Sequence, residues 1–323
     1  MSRPRHTVKK ALQSELPPAA RLLLGVSGGV DSMVLLHGVW SLQEELGLTL
    51  EVAHLDHGLR PDSAEDGAFV SAAVQKLGLV YHGRRVSPPP SGINIEAWGR
   101  RVRYEFFKEV RTTRSLEYVL TAHTADDVAE TLLMRLVSNK ELRTIRRRDE
   151  GSRLLRPLLS VTRDQIVRYA REHGVFWRED SSNLDLSFLR NRVRHELMPV
   201  LRVFDERIVE VLAIRAEAIA ADDGCLEDEA VRLLADVSSP WGQREWLQQI
   251  RRILGGAQAA VRWRVAEQVA YSKLGFRVGR VHAERLVDFI LGNGATLELP
   301  GNSSFIRRDG GLSVVDSIER EVP

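Results

Sequence analysis

The chain has 323 residues, 43% hydrophobic and 28% charged, with a net charge of +2; this is the composition of an ordinary globular protein and excludes a disordered or fibrous one. A single cysteine, Cys225, excludes a disulfide framework and any internal cysteine-pair metal or iron–sulfur site. No apolar run is long enough to span a bilayer and no signal core opens the chain, so a cytoplasmic location without membrane contact is expected.

Leu22 to Val26 reads as a buried strand and Ser32 to Leu36 as the first turns of a helix. Between them lies Ser27-Gly28-Gly29-Val30-Asp31-Ser32. Glycine costs backbone entropy, so the pair requires either a tight turn or a ligand lying against bare N–H groups. Loop amides and a helix N-terminus aimed at one spot form an anion site, to which Ser27 and Ser32 add hydroxyls. The pattern is neither the lysine-bearing P-loop nor the G-x-G-x-x-G of dinucleotide folds. It carries an acid instead, and a carboxylate beside phosphates calls for a cation such as Mg²⁺ between them. The competing reading makes Asp31 and Ser32 mere helix-capping residues.

A second strand, Leu48 to Ala53, ends in His54, Asp56 and His57. A helix from Ala64 to Leu77 and a strand from Val80 to Val86 follow. A proline-rich connector then leads to an amphipathic helix with Trp98, Val102, Phe106 and Val110 on one stripe. The stretch "EYVLTAHTADDVAET" gives another strand, a polar turn and another helix. This alternation implies an α/β fold, a doubly wound and mostly parallel sheet of Rossmann-like type. Ligands of such sheets sit at the carboxyl ends of the strands, where Ser27, His54 and His123 fall.

Asp126, Asp127 and Glu130 open the helix after His123, and Asp127 and Glu130 share a face. Alone they read as favourable N-terminal helix charge; beside a phosphate loop they fit a metal or a cationic amine. Two basic clusters follow. Lys140 to Arg156 includes Arg143, Arg146, Arg147 and Arg148, and a later run holds Arg190, Arg192, Arg194 and His195. Each could be a solvated basic face, but two flanking one pocket suit a polyanion, RNA above all. Arginine makes up 40 of the 46 basic residues, which also fits phosphate contacts. The stretch Arg207 to Leu234 reads as a helical connector. The tail "ATLELPGNSSFIRRDGGLSVVD" alternates strand and turn, as part of a small α+β domain.

The S-G-G-V-D-S loop resembles that of the PP-loop ATP pyrophosphatases, which split ATP to AMP and pyrophosphate. Within them, "HLDHGLR", "HTADDVAET", "LLRPLL" and "REDSSNLDLSFLRNRVRHELMP" resemble the tRNA(Ile)-lysidine synthetase family, densely over residues 20 to 205 and more loosely in the tail. The resemblance implies a C–N ligase: ATP adenylates the C2 carbonyl of the wobble cytidine in a CAU anticodon, and the lysine ε-amine displaces AMP. It implies a catalytic domain over 1–205, and a helical connector with a small tRNA-binding domain over 206–323. Asp31 is then expected on magnesium, and Ser27, Gly28, Gly29, Val30 and Ser32 on pyrophosphate, with His54 at the same nucleotide site. His123, Asp127 and Glu130 are expected near lysine and the base, with Arg103 and Arg190 or Arg194 near the nucleotides. Arg143, Arg146 to Arg148, Arg190, Arg192 and Arg194 are expected on tRNA, and homodimerisation is left open. One departure bears on the acceptor. Where that family carries a glycine-rich segment, this chain has "VSNKELRTIRRRDEG". The alternatives are a paralogue that adenylates another base or a free nucleoside, and an RNA-binding protein that holds ATP without catalysis.

Overall fold

The computed structural model describes residues 3–59, 63–90, 92–138, 141–179, 186, 188–301 and 303–316. The "EDSSNLDLS" stretch expected to lead into the second basic run lies largely outside them. The chain divides into two units, Met1–Met134 with Thr144–Glu217, and Arg135–Arg143 with Ala218–Pro323.

The first unit begins with helix α1 (Arg3–Glu15), strand β1 (Arg21–Gly25), α2 (Val30–Trp40) and the single turn α3 (Gln43–Leu46). It continues through β2 (Thr49–Asp56), α4 (Ser63–Lys76), β3 (Val80–Arg85), α5 (Ile95–Thr113), β4 (Tyr118–Leu120) and α6 (Ala125–Leu136). Then come two short strands, β5 (Arg148–Asp149) and β6 (Leu154–Leu155), helices α7 (Arg163–Glu172), α8 (Leu189–Arg192) and α9 (Met198–Phe204), and α10 (Ile208–Ala235), whose residues from Ala218 on belong to the second unit. The strand order is β3-β2-β1-β4-β6-β5, parallel throughout except for the antiparallel edge pair β5–β6.

Continuous apolar runs make this sheet because both of its faces are covered. Leu22 and Leu24 pack on one face with side chains of α1, α2, α4 and α7. Leu23 points the other way, onto Phe106, Phe107 and Val110 of α5. Gly25 is the point of closest approach on that second face: a Cβ there would lie 2.6 Å from the Phe107 ring. From β1 the chain winds outward to β2 and β3, then returns to place β4 on the other side of β1. That reversal opens a crevice at the carboxyl ends of β1 and β4.

Between α8 and α9, Val193–Leu197 forms a π-helical turn. Pro199, at the start of α9, has no N–H to continue an α-helical ladder into this turn. The second unit packs α11 (Arg244–Gly256), α12 (Ala259–Leu274) and α13 (Arg280–Leu291) with an antiparallel sheet of β7 (Thr296–Leu299), β8 (Ser303–Arg308) and β9 (Gly311–Asp316). Its core includes Trp246, Ile250, Val265, Leu286, Ile290 and Phe305. Among the described residues, no helix is long and apolar enough to cross a membrane.

Candidate active site

The loop after β1 is held by its own serine. Ser32 Oγ accepts from the N–H groups of Ser27 and Gly28, each at 3.2 Å, and donates to the Gly29 carbonyl at 2.8 Å. Gly28 has φ +97°, a conformation that strains any residue with a Cβ. Gly29 caps α2 without a side-chain bond, so the first N–H groups of the helix remain open to an anion. From outside, Arg178 N–H donates to the Gly28 carbonyl at 3.0 Å. The Arg178 guanidinium holds Asp66 at 2.6 Å and Glu65 at 2.9 Å, both at the start of α4. The turn is thus braced at both ends, and the N–H groups left for an anion are those of the first turn of α2.

Asp31, in the first turn of α2, presents one oxygen to Arg163. Its other oxygen, Oδ1, is buried with no partner among the described residues. Burial raises its pKa to about 6; Arg163 opposes the shift, and Asp127 and Asp126 add to it. A buried, orphaned carboxylate oxygen beside open helix amides fits a Mg²⁺ ion, which takes one or two carboxylates and completes its shell with phosphate and water. No cluster of three or more His, Cys, Asp or Glu able to hold a metal occurs among the described residues, so the loop acid is the protein's candidate contribution.

Asp127 and Thr124 cap α6 reciprocally. Asp127 Oδ2 accepts from Thr124 N–H at 2.8 Å and from its hydroxyl at 3.1 Å, and Thr124 Oγ1 accepts from Asp127 N–H at 3.3 Å. Asp127 Oδ1 takes no bond among the described residues. Glu130, one turn on, is 2% exposed and already neutralised. Arg194 grips it with two bonds of 2.6 and 3.0 Å, and Arg190 Nε lies at 3.5 Å. Burial still pushes its pKa up, against the Arg194 bonds. Asp127 and Glu130, expected to act as a pair of open carboxylates, therefore divide: Glu130 is an arginine partner and Asp127 keeps an oxygen to offer.

His123 stands at the end of β4 with Nδ1 3.0 Å from Thr121 Oγ1. Burial lowers its pKa to about 4, Asp127 opposes the shift, and Arg156, Arg100 and Arg190 reinforce it. The ring is therefore neutral near pH 7. Asp126 accepts the backbone N–H of Arg163 at 2.6 Å and lies 3.6 Å from Arg202. Arg163 is the first residue of α7, whose start is fixed by a reciprocal Thr162–Gln165 capping box.

Other expected residues take different places. His54 is 4% exposed and bonds the Val26 carbonyl through Nδ1 at 2.8 Å. Since a carbonyl only accepts, Nδ1 carries the proton, and the ring braces the loop from beneath. Arg103 donates to His57 Nε2 at 3.1 Å; burial, with Arg103 adding to it, lowers the His57 pKa to about 4. Arg192 is exposed and pairs with Glu196 at 3.3 Å. The 140–156 cluster, expected to act as one basic face, is split. Arg143 belongs to the second unit, where it bonds Glu267 at 2.5 Å and lies over the Trp263 ring. Arg148 donates to the Glu15 carbonyl at 2.5 Å and to the hydroxyl of Tyr118 at 2.7 Å, at the opposite end of β4 from His123. The carbonyls of Arg146 and Arg147 accept from Arg156 at 2.7 and 2.8 Å.

Arg163 went unmarked in the sequence because it comes from a segment with no motif of its own, and Arg178 was carried only as the first residue of the "REDSSNLDLSFLRNRVRHELMP" motif, without a role. The T-x-x-Q capping box just before α7 is the one local signal that would have placed Arg163 at a helix start.

A doubly wound parallel sheet with an open anion loop at its topological switch point defines an α/β domain of the nucleotide-binding architecture. More particularly, the chain belongs to the PP-loop family, whose domain profile matches residues 3–201. It is 42% identical over 226 residues to the tRNA(Ile)-lysidine synthase of Thermus thermophilus, a match covering 68% of this chain and 44% of that protein. To the tRNA(Ile)-lysidine synthase of Geobacter sulfurreducens it is 41% identical over 226 residues, covering 67% and 48%. The chain thus spans about half the length of the curated relatives it matches. The fold is shared with the U34-tRNA thiolase NcsA of Methanococcus maripaludis at a TM-score of 0.60 and 14% identity, over 68% of this chain and 78% of that one.

Proposed function

We propose that this protein uses ATP to attach lysine to the wobble cytidine of a tRNA with a CAU anticodon. The observation that carries the ATP reading is the braced Ser27–Ser32 loop, with open helix amides beside the orphaned Asp31 oxygen. The Ser27–Ser32 loop carries no lysine to serve a γ-phosphate, and it is assigned to the two phosphates that leave together as pyrophosphate. Asp31 is the residue that would hold Mg²⁺, whose charge would offset that of the phosphates.

The cytidine C2 oxygen attacks the α-phosphorus, the bond to pyrophosphate breaks, and C2 now bears an adenylate leaving group. The lysine ε-nitrogen then attacks C2, the C2–O bond breaks, and AMP departs with the former carbonyl oxygen. The amine loses a proton in that step. The open Asp127 oxygen is the assigned acceptor, and neutral His123 holds the base by a hydrogen bond. Fixing amine and activated carbon side by side supplies the main acceleration. Arg190 and Arg194 hold Glu130 and line the acceptor side; Arg103 is assigned to the nucleotides, and Arg146, Arg147 and Arg192 are the assigned phosphate contacts of the tRNA. The lysidine synthase names of the relatives support this choice of acceptor and amine.

Product analysis with labelled ATP tests the reading. AMP and pyrophosphate in equal amounts are expected, abolished in Asp31→Ala with the fold retained. ADP as the dominant product would overturn it.

A further inference from the structure

Arg163 has no part in the reaction as described above, yet it occupies the most strategic oxygen in the crevice. Its guanidinium pairs with Asp31 Oδ2, while its backbone N–H is fixed on Asp126 at 2.6 Å and its helix start is locked by Thr162 and Gln165. The backbone anchor is thus fixed, while the Arg163 side chain is 46% exposed, against 27% for the Asp31 side chain. Three carboxylates, Asp31, Asp126 and Asp127, repel one another here. The other nearby arginines are committed: Arg194 bonds Glu130 twice and Arg202 approaches Asp126 and Asp164. In the ligand-free protein, then, the positive charge resting directly on the loop acid is Arg163.

We propose that Arg163 is an exchangeable counter-ion. It neutralises Asp31 when no divalent cation is bound, yields Asp31 to the cation when one arrives, and then turns its guanidinium onto the pyrophosphate half of the nucleotide. This rests on the nucleotide reading given above. The physical reasoning is competition: one carboxylate cannot give its best geometry to a guanidinium and a divalent ion at once. The released guanidinium, at the N-terminus of a ten-residue helix, meets the anion that the cation brings with it.

Two binding measurements on the nucleotide-free chain test this without turnover. Mn²⁺ is titrated in with the free ion read by electron paramagnetic resonance, and pyrophosphate is titrated in calorimetrically with Mg²⁺ present. Arg163→Met, which keeps the apolar stem, is expected to bind Mn²⁺ about fivefold tighter, since a competing cation is gone. The same variant is expected to bind pyrophosphate about tenfold more weakly, having lost a charged hydrogen-bond donor. Arg163→Lys is expected to stay near the wild type in both, and Asp31→Asn to lose Mn²⁺ binding. Opposite movement of the two affinities is a signature that a merely structural arginine would not give. If Arg163→Met leaves Mn²⁺ affinity unchanged or weakens both ligands, the exchange is wrong while the nucleotide reading stands. If the wild-type chain binds neither Mn²⁺ nor pyrophosphate, both are overturned.

Discussion

Burial is the largest influence on Asp31, raising its carboxyl from 3.8 to about 6 against the pull of Arg163, with Asp127 and Asp126 adding to the rise. A carboxyl whose pKa is higher folded than unfolded stabilises the fold only while protonated. That contribution is complete below about 4 and is lost as pH rises through about 6, a difference of up to about 3 kcal/mol. Asp31→Asn is therefore expected to raise the melting temperature of the ligand-free protein at pH 8, with the gain shrinking toward zero as pH falls from 6 to 4. Thermal melts across that range check it; a variant less stable than the wild type at pH 8 would show that the Arg163 pair outweighs the burial. The acid proposed to hold the cation thus weakens the fold when ionised, and residues of this kind stand out in a sequence. Asp31 inside a glycine turn was legible because a carboxylate there conflicts with a plain structural role; His123, Asp127 and Glu130 were marked only by their place beside that loop, and Asp127 and Glu130 also have structural partners. Arg163 was not marked, and Arg178 was carried only as the first residue of a family motif. An arginine at a helix start or in a connector conflicts with nothing local, and its partner lies more than a hundred residues away.

Elements were legible where burial imposes a pattern. Leu22 to Leu24 and the stripe of Trp98, Phe106 and Val110 gave β1 and α5 because each must fill both or one side with apolar groups. The α4 and β3 bounds fell within a residue or so of those expected from the sequence. The two-residue strands β5 and β6 are too short to carry a period, and the π turn at Val193–Leu197 is set by the register into Pro199 rather than by composition. At this scale Gly25 is the sharpest test. Its missing Cβ lets α5 lie against β1, with the Phe107 ring 2.6 Å from where that atom would be. Gly25→Ala is expected to destabilise the first unit by about 1–3 kcal/mol. Adding Phe107→Leu is expected to recover part of the loss, which urea unfolding of the single and double variants measures. Equal stability of Gly25→Ala and wild type would remove the close-approach explanation for that glycine.

For the molecule as a whole, the second unit has its own polar framework, and the first part of the segment that departs from the family pattern, up to Arg143, belongs to it. Arg143 bonds Glu267, which is 1% exposed, and lies 3.8 Å from Glu227; Arg277 bridges the same two acids at 3.1 and 3.6 Å. Removing one partner of such a buried pair strands the other. Arg143→Met is expected to lower the stability of the second unit by about 2–4 kcal/mol, and Arg143→Met with Glu267→Met to recover most of it. Calorimetric melts of both variants check this; full stability in the single variant would show that Arg277 alone satisfies Glu267. The basic run of the 140–156 segment therefore could not be read from charge alone, since Arg143, Arg148 and Arg156 have inward partners. What charge and motif together did indicate was an ATP-using, RNA-directed enzyme, and that claim is tested most directly on the RNA itself. The chain is incubated with ATP, Mg²⁺, lysine and a CAU-anticodon tRNA, and the digested nucleosides are weighed by mass spectrometry. The account predicts a nucleoside with the mass of cytidine plus lysine less water, dependent on both ATP and lysine. AMP and pyrophosphate released with every tRNA nucleoside unchanged would contradict it.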